Sequence, residues 1–226
     1  PLTELVKAVY KLKSKGIKEI PAGVVIDSTW FSAKRPLGFE NSRGSQAYLT
    51  RPAAVAVEGN VVAIEATPKG GKVDVTCSPA STFIKCTSLA TLGKSTKGLS
   101  AYAKRHKDGT LEVILKGRLA SGSKKETRYV RTYDPTRFTA GVLIQTLRAA
   151  GIKVPDTSPA GLTTYYKHLS EPLQILIRKT NQHSLNFWTE NITRALGAHR
   201  HGAPGTTTKG LREINNLLIR SGVRRN

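Results

Sequence analysis

The hydrophobic pattern of this chain changes its period twice, and this restricts the fold more than any other feature of the sequence. Apolar residues recur at helical spacing from Leu2 to Lys15, and Gly16 then provides a natural stop. From Ala53 to about Arg131 they form short runs separated by Gly, Ser and Lys clusters, which is typical of strands. Helical spacing returns from Phe138 onward. The pattern therefore predicts an α+β, multidomain chain with a β-rich module between helical or mixed ends.

Clusters of turn-forming residues mark where the predicted strands begin and end. The segment 17–27 is interpreted as a short buried strand, and residues 28–52, rich in Ser, Gly, Pro, Arg and Asn, as a long surface loop. Glu58-Gly59-Asn60 is a plausible hairpin turn between Val55–Val57 and Val61–Ile64. Further strands are predicted at Val73–Cys77, Phe83–Cys86, Leu111–Leu115 and Arg128–Arg131.

Capping signals place helices in the second half of the chain. Asp134-Pro135 is an N-cap followed by a first-turn proline, so we expect a helix up to Ala150, where Gly151 closes it. Thr157–Tyr166 is interpreted as a linker or an edge strand. Further helices are predicted from Ser170-Glu171-Pro172 through Arg178, over Leu185–Gly197, and from Thr206 or Thr207 to about Gly222.

The chain is strongly basic, which predicts an anionic partner. It has 36 Lys and Arg against 15 Asp and Glu, a formal net charge of +21. Nucleic acid, a cell-wall polymer and an anionic membrane surface all fit this charge. The sequence contains no ribonucleoprotein-type aromatic pattern, no GXXG loop in context and no zinc-finger spacing, so nucleic-acid binding is the weaker alternative. No run approaches 18 consecutive apolar residues, so no transmembrane helix is expected.

The most informative stretch is KTNQHSLNFWTEN, residues 179–191, which contains Ser184-Leu185-Asn186. One helix is expected to end near Lys179, and another to begin directly after the triplet. A Ser-x-Asn triplet carries little information alone, because Ser and Asn commonly cap helices. Two interpretations therefore stand: Ser184 caps the following helix, or a tight helix–helix junction fixes two polar side chains for chemistry.

In this context NQHSLNFWTENITRALGAH resembles the second active-site motif region of the class C low-molecular-weight penicillin-binding proteins, the D-Ala-D-Ala carboxypeptidases/endopeptidases. Other segments resemble the same family in the right order over nearly the whole chain. These are GVVIDSTWFSAKRPLGFE (23–40), RPAAVAVEGNVVAIEATP (51–68), YDPTRFTAGVLIQTLRAAGIKV (133–154) and SEPLQILIRKTN (170–181).

The resemblance implies part of a penicillin-binding, serine β-lactamase-like α/β transpeptidase domain with an inserted β-rich module. Residues 1–52 would lead into the inserted domains, 53–132 would form the β module, and 133–168 its helix and return strand. Residues 169–226 would be the helical part of the catalytic domain. The implied substrate is the D-Ala-D-Ala end, or a D-amino-acid cross-link, of peptidoglycan stem peptides. The enzymes of this family form an acyl-enzyme and are acylated by β-lactams. They need no cofactor and are periplasmic or extracytoplasmic.

Site residues carry over from the family only at matching positions. Ser184 would be the second-motif hydroxyl, which relays a proton between the first-motif Lys and the leaving group. Asn186 would donate to the substrate carbonyl and help to hold that Lys. His183 would be structural or line the substrate site.

The chain departs from the family pattern at the other two motifs. No Lys-Thr-Gly occurs, and Thr208-Lys209-Gly210 is expected to open a helix rather than lie on a strand. Ser121-Gly122-Ser123-Lys124 matches Ser-x-x-Lys literally, but a solvated turn is the better interpretation. The chain alone is therefore expected to be inactive.

Two explanations of these departures stay open. The chain is a fragment of an active enzyme, or it is a truncated, non-catalytic relative that binds peptidoglycan or serves as a scaffold. The absence of Met at a chain that begins with Pro1 favours a trimmed chain. A basic nucleic-acid-binding protein is the third alternative.

The remaining candidate residues are Cys77 and Cys86, which are expected on neighbouring strands. They are either two buried thiols or a disulfide, and the resemblance to an extracytoplasmic family favours the disulfide. No metal site is expected, because no carboxylate or His cluster accompanies the cysteines and His199–His201 is interpreted as part of a loop. Asp27 and Asp134 are interpreted as a turn residue and a cap rather than an acid/base pair.

Overall fold

Helices and two small β-sheets alternate along the computed structural model, which describes residues 2–36, 38, 39, 44–155 and 170–223. The predicted linker or edge strand at 157–166 lies outside these residues. The elements are α1 (Leu2–Ser14), β1 (Val61–Lys69), β2 (Lys72–Ser78), β3 (Ile84–Ser88), β4 (Thr91–Gly93), β5 (Lys97–Arg105), β6 (Leu111–Ala120), β7 (Glu126–Arg131), α2 (Pro135–Ala149), α3 (Leu173–His183), α4 (Asn186–His201) and α5 (Thr207–Arg220).

The first sheet is antiparallel, with the strand order β2-β1-β7. Its hairpin turn is Gly70-Gly71, between the paired residues Lys69 and Lys72. Both glycines have positive φ, 56° and 74°, which the primed two-residue turns of tight hairpins require. The prediction of a hairpin around Glu58-Gly59-Asn60 is therefore wrong.

The segment 58–60 instead forms a short 3₁₀ turn that leads into β1. All three of its residues have positive φ, between 48° and 60°. Asn60 is buried, and its side-chain Nδ2 donates to the carbonyl of Arg51 at 3.0 Å. Its own carbonyl accepts from the backbone N–H of Thr132 and from Oγ1 of Thr50. Asn60 thus joins three chain segments, and Val55–Val57 is not a strand.

The second sheet is built around β6. Strands β3 and β4 follow each other along one edge of β6 in parallel register, and β5 pairs with the other edge in antiparallel register. The pattern predicted β1, β2, β3, β6 and β7 in short form but missed β4 and β5. Strand β5 shows why. Its sequence KGLSAYAKR has small residues where most strands carry branched ones.

The predicted strand at 17–27 is also wrong. Only Glu19 bridges to another segment, at Lys153, through hydrogen bonds from Ile20 N–H to the Lys153 carbonyl and from Lys153 N–H to the Lys18 carbonyl. Pro21 lacks an N–H group, and Gly23 has φ 78°, so the pairing ends after one step.

Helix α2 links two apolar clusters. Phe138 and Val142 pack with the buried faces of the sheets, whereas Ile144 and Leu147 pack with Val9 of α1. The predicted cap is confirmed, because the Asp134 side chain accepts from the Arg137 N–H. Helix α5 begins at the predicted place, and the Thr206 side chain caps it by accepting from the Lys209 N–H.

Helices α4 and α5 cross at glycines rather than at large apolar side chains. A Cβ at Gly197 would lie 2.7 Å from the backbone nitrogen of Gly210, and a Cβ at Gly210 would overlap the carbonyl of Thr193. The two backbones therefore approach closely. No helix in the described residues is long and apolar enough to span a membrane.

We expect Gly197→Ala to lower the free energy of unfolding by about 1–3 kcal/mol, because the added methyl group must force the two helices apart. This loss would occur although alanine is the better helix former by about 1 kcal/mol. Urea denaturation measures the change. Gly122→Ala is the control, since a Cβ there meets no atom within 4 Å. An unchanged or higher stability of Gly197→Ala would contradict the tight crossing.

Candidate active site

The Ser184-Leu185-Asn186 triplet forms the junction between α3 and α4. Helix α3 ends at His183, and Ser184 follows as its C-cap. The N–H groups of Ser184 and Leu185 both donate to the carbonyl of Thr180, which is buried. Leu185 occupies the N-cap position of α4 and makes no side-chain cap. The alternative in which Ser184 caps the following helix is therefore wrong.

Ser184 adopts the left-handed conformation, with φ 50° and ψ 49°. For a residue with a Cβ this conformation costs on the order of 1 kcal/mol, and glycine is the residue usually found at such a helix end. Two backbone hydrogen bonds to one buried carbonyl maintain it here. The junction thus holds a hydroxyl-bearing side chain where glycine would be more stable, which is a feature that clusters at functional sites.

The three candidate side chains of this junction are all exposed. His183 is the last residue of α3, Ser184 is the cap, and Asn186 is the first residue of α4. They are adjacent in the chain and fixed by two rigid helices. The arrangement presents a hydroxyl and a carboxamide close together at the surface.

Phe187 lies against the turn that leads into β1. A Cβ at Gly59, in the turn before β1, would lie 3.7 Å from Cδ1 of Phe187. Trp188 packs against the Phe187 ring edge-to-face, with ring centroids 6.0 Å apart. Asn191 donates from Nδ2 to the Phe187 carbonyl at 2.7 Å. The first turn of α4 thus has one contact with the turn before β1, at Gly59, and two contacts within the helix itself.

A buried ion pair fixes the rest of α4. The Arg194 side chain is 1% exposed, and its Nε donates to Oε1 of Glu190 at 2.8 Å. Its two terminal nitrogens donate to the carbonyls of Ser32 at 2.6 Å and Lys34 at 2.9 Å. Thr207, the first residue of α5, also donates to Glu190. Sequence reasoning missed this network, although Glu190 and Arg194 have the i, i+4 spacing of a helical ion pair.

The literal matches to the other two motifs lie in other elements. Ser121 is exposed in the turn after β6, and its Oγ donates to the Gly93 carbonyl at 3.3 Å. Lys124 is exposed in the same connection. Thr208-Lys209-Gly210 lies in the first turns of α5, where Lys209 Nζ donates to the carbonyls of Gly202 and Pro204.

The interpretation of His199–His201 as a loop is wrong, because these residues form the last turn of α4. His201 Nε2 lies 2.9 Å from Oε1 of Glu213, and Arg200 Nε lies 3.4 Å from Oε2. Burial raises the pKa of Glu213, but the hydrogen bonds from His201 and Arg200 outweigh it, so the net shift of this pKa is downward. The described residues contain no group of three or more His, Cys, Asp or Glu side chains that could hold a metal ion.

Asp27 and Asp134 serve local structure. Asp27 Oδ1 accepts from the N–H and the hydroxyl of Thr29, and these hydrogen bonds lower the pKa of Asp27. Asp134 caps α2, as described above. Neither is part of the junction.

Cys77 and Cys86 are joined as a disulfide in the structure, with their Cα atoms 6.1 Å apart. Cys77 lies on β2 in the first sheet, and Cys86 lies on β3 in the second. The bond therefore connects the two sheets. No free cysteine remains.

Residues 1–226 match the model of the D-Ala-D-Ala carboxypeptidase 3 (S13) family. The chain belongs to this family. It is 24% identical over 234 aligned positions to the D-alanyl-D-alanine carboxypeptidase DacB of Haemophilus influenzae, covering 98% of this chain and 48% of DacB.

Two solved structures share the fold of this chain. The crystal structure of penicillin binding protein 4 (dacB) from Haemophilus influenzae has a TM-score of 0.73 at 22% identity, and the match covers 99% of this chain and 51% of that one. The same protein complexed with a β-lactam has a TM-score of 0.66 at 20% identity, over 100% of this chain and 49% of that one. The chain thus spans about half the length of the relatives it matches. The predicted family and the mixed α/β fold are confirmed.

Because Ser184 has positive φ, we expect Ser184→Gly to raise the free energy of unfolding by about 0.5–1 kcal/mol, since glycine adopts this conformation without a Cβ clash. Urea denaturation and amide hydrogen exchange across α3 measure the effect. Ser221→Gly is the matched control at the end of α5, where φ is −84° and no gain is expected. A loss of stability in Ser184→Gly would contradict the described backbone.

We expect the double variant Cys77→Ala/Cys86→Ala to lose about 2–3 kcal/mol of unfolding free energy, because the disulfide restricts the unfolded chain. A reductant should lower the stability of the unmodified protein by a similar amount and leave the double variant unchanged. Thiol titration of the denatured, unreduced protein is the direct check. Two reactive thiols in that assay would show that the bond does not form.

Proposed function

We propose that this chain is part of a serine-type D-Ala-D-Ala carboxypeptidase/endopeptidase that cleaves peptidoglycan stem peptides through an acyl-enzyme. The observation that carries the proposal is the α3–α4 junction. It keeps Ser184 in a strained backbone conformation beside Asn186, with both side chains open to solvent. This junction lies within a chain whose whole length matches the S13 family.

In the proposed reaction Ser184 acts as the second-motif hydroxyl. It accepts a proton from the Lys of a Ser-x-x-Lys motif and donates one to the leaving amine. A hydroxyl can relay a proton in this way because it is both a donor and an acceptor. Its placement on a capped helix end supports the role, since a proton relay needs a fixed donor–acceptor distance.

Asn186 would orient the substrate. Its carboxamide has two N–H donors for a peptide carbonyl and one oxygen that can accept from the first-motif Lys. The rigid start of α4, supported by the Phe187 contacts and by Arg194, suits this positioning role. His183 would line the substrate site from the end of α3.

The nucleophile and the carboxylate-binding motif would come from polypeptide outside this sequence. Exposed apolar residues on two helices support this placement, because a group of apolar side chains exposed to water usually marks an interface with other polypeptide. They are Leu173 and Ile177 of α3, and Leu211, Ile214, Leu217, Leu218 and Ile219 of α5. Polypeptide packed on these helices would lie beside the junction that α3 forms.

The proposed substrate and location also fit the chemistry of the chain. A net charge of +21 favours contact with an anionic cell wall. A disulfide between the sheets persists in an oxidising, extracytoplasmic compartment such as the periplasm. β-Lactams, which bind the related penicillin binding protein 4, would acylate the complete enzyme.

We expect the protein made from its complete gene to be labelled by a fluorescent penicillin and the 226-residue chain alone to remain unlabelled. Asn186→Ala should lower the acylation rate of the complete protein roughly 100-fold, because one preorganised donor to the substrate is lost. Ser184→Ala should lower it by at least a similar factor, because the proton relay is removed. Gel fluorescence against time gives the rates.

Two serine variants outside the junction are the controls. Ser123→Ala should leave the acylation rate unchanged. Ser121→Ala should also leave it unchanged, since this serine lies in an exposed turn. Abolished labelling in Ser121→Ala would identify Ser121 as the nucleophile. An absence of label on the complete protein would favour a non-catalytic relative.

A further inference from the structure

The second sheet has one face in the core and one face exposed to solvent. Val113, Leu115 and Leu119 of β6 belong to the apolar cluster that the two sheets share. Because successive side chains of a strand point to opposite faces of a sheet, the residues between them lie on the outer face. Strand pairing extends this face onto β3 and β5. Five exposed cations occupy it, and we call it the basic face: Lys85 of β3, Lys97 and Lys104 of β5, and Lys116 and Arg118 of β6.

The carboxylate on the basic face already has partners of its own. Glu112 of β6 accepts from Oγ1 of Thr87 at 2.6 Å, and Nε2 of His106 lies 3.0 Å from its second oxygen. Its side chain is only 15% exposed. In the turn between β5 and β6, Lys107 and Asp108 carry opposite charges. Even if the charge of Glu112 is counted in full, the five cations leave the face strongly positive.

The outer face of the first sheet differs, because it carries charges of both signs. Glu65 of β1 and Asp74 of β2 lie there together with Lys69 and Lys72. Lys125 Nζ also lies 2.9 Å from Oε1 of Glu65. The positive charge of the chain is therefore not spread evenly over its sheets, and the basic face holds a local excess of it.

Apolar side chains lie among the cations of the basic face. Tyr102 of β5 pairs in register with Ile114 of β6, and Nζ of Lys116 lies 5.5 Å from the centroid of the Tyr102 ring. Leu89 follows β3 directly, and its N–H donates to the Leu115 carbonyl at 2.8 Å. The alternation of β3 thus continues to Leu89 and places it on the same face. Leu89 is 61% exposed.

We propose that the basic face docks on the surface of an anionic phospholipid bilayer. Its cations lie on three neighbouring strands and along about 20 Å of β6, so they cover an area rather than follow a line. A planar lipid surface meets all of them at once, whereas an extended polymer would meet a single row. Leu89 enters the headgroup region, and Tyr102 lies at the level that aromatic side chains favour. A hydrated polymer would leave Leu89 in water.

Co-sedimentation of the complete protein with phospholipid vesicles tests the proposal. Vesicles of phosphatidylcholine with about one-third phosphatidylglycerol should bind the protein at low salt, and pure phosphatidylcholine vesicles should not. Each cation near an anionic bilayer strengthens binding about fivefold, so Lys97→Gln/Lys116→Gln should weaken it roughly 25-fold. Lys69→Gln/Lys72→Gln removes the same charge from the first sheet and should change it less than about twofold. Equal weakening by both pairs, or no binding to anionic vesicles, would overturn the proposal.

A second comparison distinguishes a lipid surface from a wall polymer. Leu89→Ser should weaken vesicle binding about fivefold, because apolar surface no longer leaves water, and should not change retention on purified peptidoglycan sacculi. Unchanged vesicle binding of Leu89→Ser would contradict the proposal. So would a Lys97→Gln/Lys116→Gln protein that loses retention on sacculi but still binds vesicles. All these side chains are exposed, so the melting temperatures should stay the same. Penicillin labelling depends on residues of the α3–α4 junction, so the two proposals can fail separately.

Discussion

The buried guanidinium of Arg194 is the interaction on which the helical end of this chain depends. It joins Glu190 of its own helix, the carbonyls of Ser32 and Lys34, and the hydroxyl of Thr207 at the start of α5. Removing one partner of such a buried pair costs about 3–5 kcal/mol, because a charge is left without compensation. The segment before α5 also packs closely against this residue. Gly205 lies so near that a Cβ there would overlap the Arg194 carbonyl.

The Arg194 contacts also make the candidate site rigid. Asn186 and Arg194 lie on the same helix, α4, and the helix cannot shift without breaking the contacts of Arg194. Ser184 lies at the other side of the junction, where two N–H groups share the Thr180 carbonyl. These hydrogen bonds offset the energetic cost of the left-handed backbone at Ser184. A strained hydroxyl on a rigid support is the arrangement expected of a group that must hold a fixed distance to a reacting atom.

Local signals in the sequence predicted the features that depend on a few neighbouring residues. Asp134 was identified as a cap, because a cap needs only a side-chain oxygen and the following turn, and the start of α5 was placed at Thr206 or Thr207. The hairpin at Gly70-Gly71 was missed because Glu58-Gly59-Asn60 carries a similar local signal. The two turns differ in their tertiary contacts. Asn60 is hydrogen-bonded to Arg51 and Thr132, so the turn at 58–60 does not close a hairpin. The strand predicted around Val25 failed for a related reason, since no strand among the described residues pairs with it.

The arginines show why total charge says little about function. Arg194 is neutralised by Glu190 and serves the fold. Arg131 is equally buried, yet it donates to the Leu49 carbonyl and stacks over the Tyr133 ring. Arg137 is stacked on Phe83 beside a buried hydroxyl that has no partner among the described residues. All three contribute the same unit to the net charge of +21. Their roles differ because burial, stacking and partners differ, and those quantities are set by tertiary contacts rather than by composition.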